Sequence, residues 1–272
     1  MKLKMLFLLS VLCLLITACS TNPFTGKQTL ALVPNSQILP MSFQQYSEFL
    51  ASNKVISNTA DAKMVDAIGK KIASAAERYL NANGYAGYLT DYRWEYHLVD
   101  SPEVNAWCMP GGKIVVYTGI LPITKNEAGL AAVMGHEVAH ALANHGQQRM
   151  SATQLQQMGA VAGNVALSNN PESQQIFDTA YGVGSQVGVM LPFSRSHETE
   201  ADKIGLTLMA IAGYDPIAAA ELWQRMKAQS KNAPDEFLST HPSSDTRIVN
   251  IRAWANDAKA EARKFGVTSF KK

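Results

Sequence analysis

The sequence has 272 residues, of which 47% are hydrophobic and 17% are charged, and its formal net charge is +2. This length is enough for one large or two small globular domains, because a chain of this size buries about three quarters of its unfolded surface. The near-neutral charge gives no reason to expect a nucleic acid as partner, since such partners select strongly basic surfaces.

The N-terminus is predicted to be a signal peptide, residues 1–18, and not part of the fold. Two lysines precede an apolar run, residues 5–16, that is too short to anchor the chain across a bilayer. Small residues then lead to Cys19 in a pattern that resembles a bacterial lipobox, whose cysteine is lipidated. Ser20 in the next position favours the outer membrane in enteric-type bacteria, although other phyla sort differently. A plain secretory signal with a chance cysteine is the alternative.

Helical patterns and then strand patterns follow. A polar tether to about residue 35 is followed by two predicted amphipathic helices, the second over residues 61–80. Residues 93–99 alternate like a half-buried strand, and the runs 104–109 and 113–118 flank a Pro-Gly-Gly turn. These three strands predict a small antiparallel sheet that precedes the next helix.

An H-E-x-x-H motif lies in the mostly apolar helical stretch after these strands. His136 and His140 are four residues apart, so both imidazoles lie on one helix face and are able to share a metal ion. Glu137 lies beside them, where its carboxylate could take a proton from a metal-bound water. Such motifs also occur by chance, but buried polar groups need partners, and a metal supplies them. Thr124 and Glu127 fit a capping box for this helix.

A catalytic zinc ion usually has three protein ligands, so one more is needed. A third histidine downstream on the same helix is excluded, because Gly146 occupies the required position. A second predicted helix offers Glu198 and, four residues later on the same face, Asp202. We predict that Glu198 binds the metal and that Asp202 accepts the other N–H of a ligating histidine. His197 and Glu200 remain alternative ligands, and an ordinary acidic first turn is the alternative for the segment.

The rest of the chain is predicted to be mostly helical. Residues 147–192 are rich in Gln, Ala, Gly, Met and Ser, which indicates helices packed on the metal-binding helix; a mobile flap or a membrane-facing surface is the alternative. Further helices are predicted to end at Gly213, to begin at Pro216 and to span residues 245–265. Cys108 is predicted to be a small buried residue, and no internal disulfide is possible after processing at the lipobox.

Taken together, these motifs resemble those of the membrane-associated gluzincin metallopeptidases, which include the C-A-A-X prenyl protease, HtpX and the OMA-type proteases. The resemblance depends on H-E-x-x-H, the later E-x-E-A-D sequence, Thr240-His241-Pro242, Arg247-Ile248 and the sequence of residues 22–26. It implies one zinc ion per chain, bound by His136, His140 and Glu198, with Glu137 as the general base.

The resemblance also implies an α+β, mostly helical fold, with a gluzincin-like domain over residues 59–272 and a tether and N-terminal helix over residues 19–58. In gluzincins the small sheet lends an edge strand to the cleft, which places Asn105 and Ala106 as candidate substrate-binding residues. His241 is implied to lie near the active site, as a donor to the oxyanion or as a fourth ligand that closes it. A surface-loop histidine is the alternative.

The function that we predict is zinc-dependent hydrolysis of misfolded or misassembled envelope proteins by a lipid-anchored endopeptidase facing the periplasm. Its expected partners are polypeptide substrates and, through Cys19, the membrane. A periplasmic assembly factor or chaperone with secondary proteolysis is one alternative, and an exopeptidase is another. The sequence does not indicate an oligomeric state.

Overall fold

A computed structural model describes residues 19–186, 190–229 and 236–272, so the predicted signal peptide lies outside the described residues. The predicted α+β, mostly helical class is confirmed. In chain order the elements are β1 (Cys19–Thr21), β2 (Gln28–Leu30), α1 (Asn35–Ser52), β3 (Val55–Ile56), α2 (Ala60–Ala82), β4 (Glu95–Val99), β5 (Ala106–Met109), β6 (Lys113–Tyr117), α3 (Leu121–Thr124), α4 (Glu127–Leu142), α5 (His145–Ala166), α6 (Pro171–Ser185), α7 (Leu191–Ile211), α8 (Ile217–Gln229), α9 (Glu236–Thr240) and α10 (Asp245–Lys264).

The chain forms two compact units, and each is discontinuous in sequence. The larger unit comprises residues 39–143 and 198–272. The smaller unit comprises residues 144–197 together with the described residues up to 38. The domain boundary that the sequence suggested at residue 59 stays a prediction.

The sheet of the larger unit has the strand order β3-β4-β6-β5. β3 with β4 and β5 with β6 are antiparallel pairs, whereas β4 and β6 are parallel. The prediction of a wholly antiparallel sheet is therefore wrong for the central pair. The reason is that the β5–β6 hairpin docks its second strand, and not its first, against β4. This order leaves β5 at the edge of the sheet.

The core of the larger unit lies between this sheet and its helices. All five residues of β6 are buried, and α2 turns a buried stripe that includes Val65, Ile68 and Ile72 inward, as its helical period predicted. α4 contacts α2, α8 and the edge strand β5. His97 on β4 has a structural contact, because its Nδ1 lies 2.8 Å from the hydroxyl of Tyr46 on α1.

The start of α4 differs from the predicted capping box. Thr124 ends the preceding short helix, and its hydroxyl donates to the Leu121 carbonyl. Lys125 then adopts a left-handed φ of 66°, which separates the two helices. Asn126 is the N-cap, since its side chain accepts a hydrogen bond from the Gly129 N–H at 2.9 Å.

The smaller unit contains the β1–β2 hairpin, the helices α5 and α6, and the first residues of α1 and α7. Hydrogen bonds from Gln156 to Ser185 and from Asn164 to Asp178 show that α5 and α6 run antiparallel. Within the described ranges, none of the helices combines the length and the apolar character that a membrane span requires.

Candidate metal centre

The metal-binding motif lies on a helix that is buried over nearly its whole length. Every residue of α4 from 128 to 142 is buried, so His136, Glu137 and His140 are all removed from bulk water. Buried ionisable groups are costly unless they have charged or hydrogen-bonding partners. The partners come from α7 and from the loop after α9.

A close backbone contact brings α7 to the motif. A Cβ added to Gly135 would lie 3.0 Å from the Gly205 carbonyl oxygen, and one added to Gly205 would lie 3.0 Å from the His136 nitrogen. Any larger residue at either position would push the two helices apart. The pair of glycines therefore fixes the crossing point that directs Glu198 and Asp202 toward the histidines.

Four side chains converge on one point. His136 Nε2 lies 3.1 Å from His140 Nε2 and 3.3 Å from Glu198 Oε2, and His140 Nε2 lies 3.2 Å from Glu198 Oε1. His241 Nδ1 lies 2.9 Å from Glu198 Oε2 and 3.2 Å from His136 Nε2. One ligand atom from each residue lies within 4.8 Å of the others, and among the described residues this is the group that could hold a metal ion.

The spacing and chemistry of this group fit zinc. Ligand atoms on a tetrahedral zinc ion with Zn–N distances of about 2.0–2.1 Å lie about 3.4 Å apart. The contacts in the group, between 2.9 and 3.3 Å, are close to that value. Two imidazole nitrogens that face each other at 3.1 Å also need a cation or a proton between their lone pairs. Two or three imidazoles and a carboxylate are a ligand set that zinc commonly takes.

The electrostatics of the group favour positive charge. Burial lowers the pKa of His136, but hydrogen bonds to Asp202 and Glu198 outweigh it and raise the pKa to about 9. Burial holds the pKa of His140 well below its usual range. Burial alone would raise the pKa of Glu198, but three histidine hydrogen bonds bring it far below the ordinary value. The two buried carboxylates, Glu198 and Asp202, therefore lie in a site that favours positive charge beside them, which a metal ion would supply.

Glu137 lies at the side of the ligand group, as its place on the helix predicts. Its Oε1 is 3.4 Å from His241 Nε2, and its side chain is buried. A carboxylate in this position does not join the four convergent atoms and is available to accept a proton beside them. The imidazole of His241 thus faces the ligand group with Nδ1 and Glu137, the candidate base, with Nε2.

The carboxylate of Asp202 contacts His136 on the side of the ring that faces away from the ligand group. Its Oδ1 lies 3.0 Å from His136 Nδ1, the contact that the four-residue spacing from Glu198 led us to expect. Arg247 on α10 contacts the same carboxylate with Nε and Nη2, both at 2.7 Å. Burial would raise the pKa of Asp202, but the Arg247 charge and the histidine hydrogen bond keep it below its usual value.

Arg247 and Trp223 are the site residues that sequence reasoning missed. The guanidinium lies 3.6 Å from the centroid of the Trp223 ring and donates to the Pro242 carbonyl at 3.1 Å. It also lies 3.3 Å from Glu198 Oε2. Arg247 was noted only as part of a family pattern, and the sole signal of a role was its position soon after His241-Pro242. Trp223, on α8, gave no such signal.

The remaining candidates lie outside the ligand group. His197 is buried, stacks on His145 with ring centroids 4.0 Å apart and contacts Gln148 Oε1 at 3.1 Å. Glu200 is half-buried on α7. Cys108 is half-buried and not fully buried as predicted. Removal of its thiol from water still raises the pKa of Cys108 well above its usual range, which does not suit a nucleophile.

Asn105 and Ala106 stand at the beginning of the edge strand β5, next to α4. Asn105 accepts a hydrogen bond from the Tyr117 N–H at 3.1 Å, and its side chain accepts one from the Ala106 N–H. The main chain at Val104 accepts a bond from Phe237 on α9, the helix that precedes His241. A substrate-binding role for this pair stays a prediction.

Comparison with known proteins places the site in a family context. The model of peptidase family M48 matches residues 59–255, which include every candidate ligand. The chain is 39% identical over 175 residues to the mitochondrial metalloendopeptidase OMA1 of Schizosaccharomyces pombe, covering 64% of this chain and 50% of that protein. It is 36% identical over 176 residues to OMA1 of Arabidopsis thaliana, covering 65% of this chain and 34% of that protein.

A bacterial relative is matched over more of the chain. The beta-barrel assembly-enhancing protease of Yersinia pestis is 26% identical over 263 residues, covering 88% of this chain and 52% of that protein. The chain thus spans about half the length, or less, of these relatives.

Proposed function

Because the chain belongs to peptidase family M48, we propose that it is a zinc-dependent endopeptidase whose ligands are His136, His140 and Glu198. The observation that supports this proposal most directly is the convergence of these side chains, with His241, to within 4.8 Å on a buried helix crossing. The groups come from separate parts of the chain, so a chance H-E-x-x-H match does not explain the arrangement.

In this proposal each residue has a separate task. A bound zinc ion supplies a water of pKa about 7 and polarises the peptide carbonyl. Glu137 accepts the proton of the attacking water and passes it to the leaving amine. Asp202, held by Arg247, fixes the ring of His136 so that Nε2 faces the ligand group. An extended substrate would add to the edge strand β5 by main-chain hydrogen bonds; the support for this step is the place of β5 at the edge of the sheet.

The experiment that tests the mechanism compares the wild-type protein with Glu137→Gln. We expect the variant to keep its zinc, measured by elemental analysis, and to lose about 10²–10⁴ in the rate of cleavage of an unfolded protein, since the amide cannot accept the proton. Undiminished cleavage by the zinc-loaded variant would remove Glu137 from the mechanism. Comparing an unfolded protein with short free peptides as substrates separates endopeptidase from exopeptidase activity.

We further propose that the substrates are misfolded or misassembled proteins of the bacterial envelope. The support is the name of the Yersinia relative, a beta-barrel assembly-enhancing protease. The same name favours a second candidate, an assembly factor in which cleavage is secondary. The buried carboxylate of Glu137 beside the ligand group argues against a purely binding role.

The proposed location is the periplasmic face of the outer membrane, with the chain held by a lipid on Cys19. The support is the lipobox-like sequence that ends at this cysteine. We expect wild-type protein to incorporate labelled fatty acid and Cys19→Ser to incorporate none, as seen by gel autoradiography after metabolic labelling. Absence of label on the wild-type protein would contradict the lipid anchor and leave the metal chemistry untouched.

A further inference from the structure

The α5–α6 hairpin of the smaller unit carries an apolar stripe that is exposed. The side chains on α5 are Met150, Leu155, Met158, Val161 and Val165, with exposed fractions of 37%, 42%, 64%, 63% and 69%. At about 100° per residue these positions fall within an arc of about 140° on one helix face. The exposed Gln154 and the buried Ser151 interrupt this arc near its start, but from Leu155 to Val165 it carries only apolar side chains. Isolated exposed apolar residues are common, whereas a stripe of several such residues marks an interaction surface.

The other face of α5 is already in use. The Tyr181 hydroxyl donates to the Gln156 carbonyl at 3.1 Å, and Asn164 donates to Asp178 at 2.7 Å, so this face packs on α6. Ile176 on α6 is also exposed, at 64%. The stripe is therefore a second surface that the hairpin leaves uncovered.

The composition of the hairpin favours lipid as the occupant of this surface. Residues 150–171 contain no Asp, Glu, Lys or Arg. A protein partner is usually selected by a polar and charged rim around an apolar centre, and the charged part of such a rim is missing along the stripe. The boundary between lipid headgroups and acyl chains needs no charged rim, because it binds a helix face by burying its apolar surface.

The place of Cys19 at the start of β1 supports the same occupant. β1 begins at Cys19 and pairs with β2, and the segment after β2 is held to the first turns of α5. The Ser151 hydroxyl accepts the Leu32 N–H at 3.0 Å, and Gln147 donates to the Val33 carbonyl at 2.6 Å. A lipid on Cys19 would therefore keep the hairpin, which belongs to the same compact unit, beside the bilayer.

We infer that the apolar stripe of α5 lies in the membrane interface, as a second attachment besides the proposed lipid anchor. A stripe from residue 150 to residue 165 is about 22 Å long and would lie along the surface without spanning the bilayer. Because the stripe has no charge, its insertion should depend little on salt or on anionic lipid. The inference depends on the proposed lipid anchor, which would bring the hairpin to the membrane. It is tested by a different measurement, the contact of the stripe with lipid.

The test uses the full-length protein in its own membranes, with benzoylphenylalanine in place of Met158 or, as control, of Gln175. Gln175 is exposed on α6 and lies outside the stripe. After irradiation we expect lipid adducts at position 158 and few at position 175, identified by mass spectrometry. Adducts to a second copy, adducts to another protein, or equal lipid adducts at both positions would each overturn the inference.

A matched pair of substitutions sharpens the test. Val165→Asp places a charge on the stripe, and Thr153→Asp places one at an exposed position on another face of the same helix. We expect Val165→Asp to lower the lipid adducts at position 158 by about fivefold or more, and Thr153→Asp to leave them unchanged. Flotation of both variants with the membranes shows that the lipid anchor is intact. Equal adduct yields in the two variants would overturn the inference.

Discussion

The candidate ligand group is held in two different ways. His136 and His140 lie on α4, which is buried from residue 128 to residue 142, and Glu198 lies on α7, which touches α4 backbone to backbone. His241 instead follows the five-residue helix α9, with its N–H bonded to the Phe237 carbonyl at 2.8 Å. All four side chains are buried or half-buried, but the first three are fixed by two long packed helices, whereas His241 lies just outside a short one. We therefore expect loss of the first three to remove the metal and loss of the fourth to alter only access to it.

Removing a helix-borne ligand should have the largest effect. We expect His136→Ala, His140→Ala and Glu198→Ala each to lose bound zinc and all measurable cleavage of an unfolded protein, because two remaining helix-borne ligands do not hold a catalytic zinc ion. Zinc content by elemental analysis and helix content by circular dichroism separate loss of metal from loss of fold.

Glu200→Ala is the matched control for Glu198→Ala. Both glutamates lie on α7, but Glu200 is outside the ligand group. We expect its variant to retain zinc and activity. A zinc-free Glu200→Ala protein beside a zinc-loaded Glu198→Ala protein would reverse the assignment and break the distinction between the helix-borne and loop-borne groups.

The helix-borne half of the group could be predicted from the sequence because it depends on local periodicity. A spacing of four residues places His136 with His140, and Glu198 with Asp202, before any tertiary contact is known. The crossing of the two helices could not be predicted in this way. It depends on Gly135 and Gly205, which are far apart in the sequence and whose pairing follows only from packing.

Arg247 shows the same limit. Its bond to Asp202 joins α10 to α7, and no periodic pattern links residues on different helices. Likewise, the strand runs could be located from alternation and turn residues, but the parallel β4–β6 pair depends on which strand of a hairpin docks. Local elements were therefore predictable from periodicity, whereas the approach of α7 to α4 was expected only from the need for a third ligand and from the family resemblance.

The contact between Asp202 and His136 gives the next largest expected effect. Asp202→Asn should keep the side-chain volume but weaken the hold on the N–H of His136, and we expect zinc affinity or turnover to fall about 10–100-fold. Competition with a fluorescent chelator measures the affinity. Normal affinity and turnover in a folded variant would show that this carboxylate only completes the buried ion pair with Arg247.

Arg247 permits a check that separates support of the metal from support of the fold. Removing one partner of a buried ion pair costs about 3–5 kcal/mol of stability, so Arg247→Met should lower the free energy of unfolding by that order in urea titrations. In Asp202→Asn the amide can still accept a bond from the guanidinium, so we expect a smaller loss of stability but the larger loss of zinc affinity.

The smallest expected effect concerns His241, and it is the sharpest test of the difference between the helix-borne ligands and the loop-borne histidine. The residue could donate to the oxyanion or act as a fourth ligand that closes the site, and the two roles predict opposite signs. The geometry favours closure: Nδ1 lies 2.9 Å from Glu198 Oε2, among the ligand atoms, while Nε2 lies 3.4 Å from Glu137 Oε1. The ring thus occupies the space between the metal ligands and the base, where an attacking water has to be.

We therefore expect His241→Ala to raise the initial rate on an unfolded substrate about threefold or more at matched zinc occupancy, because a larger fraction of molecules is open. Ser243→Ala, in the same loop, is the control, since its hydroxyl donates to the Trp223 carbonyl at 3.3 Å and the residue lies outside the ligand group. A loss of about a hundredfold would instead assign the imidazole to oxyanion stabilisation. A rate and zinc affinity equal to wild type would exclude both roles, and the loop-borne histidine would then differ from the helix-borne ligands in function as well as in the way it is held.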